Sequence, residues 1–128
     1  MKTIHKAALL LVGGLAVHSA QAACTYPVAP GAFPDGTVAS REEIKAAKDV
    51  VKKYDADMNT YLVCIRGEYE ANVAALPADA PKKQKAEMEK MHGQKENAAL
   101  AEVEDVVARF NEQLKAWKAK NMPEKKSS

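Results

Sequence analysis

The sequence predicts an all-α fold: an antiparallel two-helix hairpin, over about residues 40–76 and 81–119, with a Pro/Gly-rich N-terminal arm pinned to it by a disulfide. Three observations carry this. A helix-starting signature stands at Ser40, apolar residues recur at spacings of three and four along two long stretches, and a proline pair, Pro77 and Pro81, separates those stretches.

The chain opens with MKTIHKAALLLVGGLAVHSAQA. Lys2 and Lys6 precede an apolar run from Ala7 to Val17, and small residues stand at Ala20 and Ala22. That is the layout of a secretory signal peptide over residues 1–22, with cleavage expected after Ala22. The run is about half of the ~20 residues a membrane span needs, so no transmembrane segment is expected after cleavage.

The next residues, 23–39, form the arm. They hold three prolines, two glycines and the turn signal Pro34-Asp35-Gly36, which disfavour helix. Tyr26, Val28 and Phe33 suggest that the arm lies down on another surface.

The helical hairpin domain is expected over residues 40–120. Ser40-Arg41-Glu42-Glu43 reads as a capping box, in which the hydroxyl of Ser40 accepts from the Glu43 backbone and the Glu43 carboxylate reaches back. Ile44, Ala47, Val51, Tyr54, Met58, Tyr61, Ile65, Tyr69, Val73 and Leu76 then share one face of a first helix. Pro77 ends it, and Pro81 suits the opening turn of the next. The second helix carries Met88, Met91, Ala99, Val103, Val106, Phe110, Leu114 and Trp117 and closes in lysines that complement its C-terminus. Residues 121–128 read as a disordered tail.

So short a connection folds the helices back on each other, with position numbers summing to about 160 across the pair. Tyr61 then faces Ala99, Ile44 lies near Trp117, and Gly67 and Gly93 fall at one level, where close approach or a bend is expected. A bare hairpin exposes apolar surface. Either the arm or a second copy, in a homodimer, is expected to cover it.

Charge narrows the function. The whole chain has 19 bases and 17 acids, but the leader holds two of the lysines and no acid, which leaves 17 of each. A neutral mature chain gives no support for nucleic-acid binding, which needs a clustered basic face.

The two cysteines, Cys24 and Cys64, most simply make one disulfide in the oxidising space outside the cytoplasm. Two other readings of Cys24 stay open here: a lipid anchor and a reactive thiol. Gln21 stands where lipoprotein signals carry leucine, and the chain has no Cys-x-x-Cys. His92, beside Met88 and Met91, could be drawn as a soft-metal site near Gly67 and Gly93, but core methionines explain the pattern as well. No haem, zinc, phosphate-loop or nucleophile-elbow motif occurs, so no cofactor, metal or catalytic residue is assigned and an enzyme is not expected.

Cys24, Tyr26-Pro27, Pro34-Asp35-Gly36, the Ser40 cap and Tyr61-Leu62-Val63-Cys64 together resemble a group of small exported proteins of Gram-negative bacteria. The resemblance covers about residues 24–70. It implies a signal peptide, a cysteine pair and a helical body, and carries over no activity.

The expectation is therefore a periplasmic or secreted, non-enzymatic helical protein that acts as a protein-interaction module or self-associates. Tyr54, Tyr61, Tyr69, Phe110 and Trp117 are its candidate interaction residues. The alternatives are a small-ligand or metal carrier and an envelope lipoprotein held through Cys24.

Overall fold

A computed structural model describes residues 23–122. The expected leader and all but the first two residues of the expected tail lie outside the described residues. Two helices, α1 (Arg41–Ala74) and α2 (Lys82–Asn121), pack against each other, and no strand occurs among the described residues.

The capping box forms as the sequence predicts. The Glu43 N–H donates to Ser40 Oγ at 3.2 Å, and the Ser40 N–H donates to Glu43 Oε2 at 2.7 Å. The Glu43 carboxyl is consequently held below its ordinary range, chiefly by the Ser40 backbone and then by the Ser40 side chain. The α1–α2 turn is tied by Ala80 N–H to Pro77 O at 3.0 Å. Pro81 is the N-cap of α2, one place before the first helical residue, and contributes no side-chain cap. At the far end Asn121 is still helical, so α2 outruns the expected boundary at 119 by two residues.

The core follows the stripes. Ile44, Ala47, Tyr54, Met58, Tyr61 and Ile65 of α1 are buried against Ala99, Val106 and Phe110 of α2. Met58 and Val106 are sealed at its centre. The register agrees with the spacing: Arg66 pairs with Glu96 and Tyr69 stacks on His92, position sums of 162 and 161.

Gly67 and Gly93 do not bring the two helices close, one of the two roles their matched level suggested. Helix runs unbroken through both, and a Cβ at either would meet nothing within 4 Å, so neither permits a close helix approach.

The arm covers part of the hairpin. It starts at the Cys24–Cys64 disulfide, whose Cα atoms are 5.7 Å apart, and runs along the helix pair toward the end where α1 begins. Tyr26 sets its ring edge on Tyr61 at 4.8 Å and donates its hydroxyl to Glu102. Phe33 packs edge-on against Phe110 at 5.7 Å. Arg109 lies over the Phe33 ring and donates to Gly31 O at 2.8 Å and Pro30 O at 3.3 Å. At the last turn of the arm the Gly36 N–H donates to Gln113 Oε1 at 2.9 Å, and Lys120 Nζ donates to Thr37 O at 2.7 Å. Val28 departs from expectation: it is 92% exposed and points away.

Gly36 is the glycine that packing demands. It is buried, and a Cβ there would lie 1.9 Å from the carbonyl oxygen of Gln113. The arm thus rests directly on the α2 backbone.

Candidate functional site

The disulfide answers the question about Cys24. Its Sγ is bonded to that of Cys64, so no thiol remains to carry a lipid or attack a substrate. Glu68 stands beside the two sulfurs and accepts from the Cys24 N–H at 3.3 Å, but disulfide sulfurs lack the thiolate charge that binds metals.

The five aromatic candidates separate. Tyr54, Tyr61 and Phe110 are 4%, 9% and 5% exposed, which makes them core residues between the helices and the arm. Tyr69 and Trp117 are half-buried at opposite ends of the hairpin. The sequence could not divide this stripe, because the division is made by how far the arm reaches.

Glu102 organises the polar contacts at the level of Tyr61. It accepts from Tyr26, and the Tyr26 phenol is pushed well above its ordinary range by burial first and by Glu102 second. The Tyr54 phenol is raised in the same way, by burial and then by the Glu102 charge, and its buried Oη finds no well-formed hydrogen bond.

Toward the turn, beyond the arm, a cavity of about 130 Å³ is lined by Tyr69, Met88, Met91 and His92, with Glu68 and Lys95 at its edge. The His92 ring stacks flat on Tyr69 at 4.7 Å, and its Nε2 is 3.6 Å from Glu96, which Arg66 holds at 3.3 Å. The structure therefore joins Met88, Met91 and His92, while Gly67 and Gly93 are not among the lining residues. The volume falls below the ~300 Å³ at which organic-ligand pockets begin.

A further surface has no counterpart among the residues predicted from sequence. On α2 the arm is held by Glu102 and Arg109. Leu100 and Val107 precede these by two residues, which at ~100° per residue turns them about 200° away, onto the opposite flank. They are 49% and 36% exposed. They stand seven residues apart, the spacing of a helix–helix seam, and the row continues into the half-buried Leu114. That spacing was legible, but only the arm's position shows which side of the helix stays bare.

Comparison with family models, curated proteins and solved structures finds no match to the chain. No helix among the described residues is long and apolar enough to cross a membrane.

Proposed function

We propose that this is an exported, non-enzymatic interaction module in which the disulfide-pinned arm covers one flank of a helical hairpin and leaves the other for a protein partner. The exposed, heptad-spaced pair Leu100 and Val107 carries this reading, because apolar residues at that spacing on a small helical body are what a partner helix packs against. The closed disulfide supports residence in an oxidising compartment. Both cysteine sulfurs are bonded to each other, and the His92 ring stacks on Tyr69 beside Glu96.

The test is sedimentation and cross-linking of the mature, oxidised chain, alone and in periplasmic extract, against a Leu100→Lys/Val107→Lys variant. Self-association or a defined cross-linked partner, lost in the variant, is expected. A strictly monomeric protein that captures nothing would end the proposal.

One observation favours a second reading, a soft-metal carrier: Met88, Met91 and a fixed His92 line one cavity. Silver(I), as a stable stand-in for copper(I), would then raise the melting temperature of the native chain and not of Met88→Leu/Met91→Leu.

A further inference from the structure

A second cleft lies at the other end of the hairpin, between the start of α1 and the end of α2, with a volume of about 380 Å³. Its floor is apolar, made by Ile44, Phe110 and Trp117, and its rim is cationic, made by Arg41, Lys45, Lys48 and Lys118. Among the described residues, no acidic side chain lines it. None of the four cations makes an ion pair with an acid among the described residues.

This concentration of charge needs a reason. Acids and bases balance in the sequence after the expected leader, and three cations elsewhere on the helices pair with acids four residues away, Lys53 with Asp57, Lys83 with Glu87 and Arg109 with Asp105. Positions 41, 45 and 48 are instead spaced by four and three, which sets like charges side by side on one helix face, an arrangement that costs stability. Lys118 adds a fourth from the facing helix. A counter-charge from outside the chain would reverse that cost, and the apolar floor requires that it arrive attached to an apolar body.

We propose that this cleft binds a single-chain amphiphile with an anionic head, of the fatty-acid type. The carboxylate sits among Arg41, Lys45, Lys48 and Lys118, and the alkyl chain lies on Ile44, Phe110 and Trp117 toward Leu114. The cleft is within the ~300–1,000 Å³ range of small-ligand sites, in contrast to the cavity at the turn. The site does not rest on the interaction reading, since it needs neither a protein partner nor a second copy.

Trp117 is the only tryptophan of the chain and lies in the cleft, so its emission reports occupancy. The mature, oxidised protein is titrated with laurate below its micelle concentration. Parallel titrations use dodecyl maltoside and dodecyltrimethylammonium, which keep the chain length and change the head, and phosphatidylglycerol vesicles. A saturable blue shift with laurate alone is expected, weakened about tenfold in Lys45→Glu/Lys48→Glu and unchanged in Lys83→Glu at the turn. Equal response to all three dodecyl probes would mean apolar adsorption and overturn the proposal. Vesicle binding without laurate binding would make a membrane surface the occupant and overturn it too, as would no response to laurate. Every readout is made on the chain alone, so these outcomes are distinct from failure of the partner reading.

Discussion

The four glycines among the described residues should respond to alanine in opposite directions, and Gly36 decides whether the arm rests on the α2 backbone. An alanine Cβ there would be 1.9 Å from Gln113 O, 2.8 Å from Gln113 C and 2.9 Å from Trp117 N. All three are backbone atoms inside a hydrogen-bonded helix, so α2 does not yield. Carbon and oxygen approach comfortably only to ~3.3 Å, so the arm must lift by roughly 1 Å or more. Lifting breaks the Gly36–Gln113 hydrogen bond, worth about 1 kcal/mol, and loosens Phe33 from Phe110, worth about as much again. Overpacking brings the expected loss to about 2–3 kcal/mol, even after the ~0.5 kcal/mol that alanine returns by restricting the unfolded chain. In Gly67→Ala and Gly93→Ala the new methyl meets nothing, so each should gain about 0.5–1 kcal/mol of helix propensity. Gly31→Ala, equally unobstructed, should be close to neutral. Urea unfolding of the oxidised proteins, followed by helical ellipticity, measures all four. A Gly36→Ala protein within about 0.5 kcal/mol of the parent would refute the packing of the arm on α2.

Further outcomes follow from other contacts. Replacing Cys24 and Cys64 by serine opens a loop of 40 residues, and the chain-entropy model assigns its closure about 4 kcal/mol, read as a fall in the urea midpoint that reductant should reproduce in the parent. Ser40→Ala removes the α1 cap at a cost of about 1 kcal/mol, and Glu43→Gln should leave less acid-dependent stability than the parent. The sign follows from the Glu43 carboxyl being lowered: its contribution is present above the ordinary value of about 4.5 and is lost as pH falls through the folded value. Tyr26 acts at the other extreme, because a phenol raised in the folded state contributes stability below pH ~10 that is lost as pH rises beyond it. Thermal melts at pH 9 and 11 should show this loss, and Tyr26→Phe should reduce it.

The hairpin was legible because its signals are local. The Ser40 box, the Pro77–Pro81 break and the three-four spacing each act within a turn or two of helix, and the stripe that begins at Ile44 became the core. The cysteine pairing was legible by counting. The arm's course was not: Arg109 to Gly31, Gln113 to Gly36 and Lys120 to Thr37 join residues about 80 positions apart, and no periodicity in a Pro/Gly-rich segment announces such partners. The exposure of Val28 and the division of the aromatic stripe share that cause. A glycine is needed where a neighbour's backbone comes close, and the neighbour of Gly36 was invisible until the arm was placed. The basic cleft was hidden for a related reason, since Arg41, Lys45 and Lys48 read as ordinary helix charges until Lys118 joins them.

The cysteine bridge also settles how the chain would carry a mechanical load. Tension entering at residue 24 crosses through sulfur to residue 64, and the 39 residues between them, which include the arm and most of the first helix, feel none of it. Drawn from its two ends, the oxidised protein would pay out a contour shorter than the reduced one by about 40 residues, roughly 130–140 Å at full extension. Such a tether would lengthen in one step when the bond is cut by a reductant, a length change set by redox state alone.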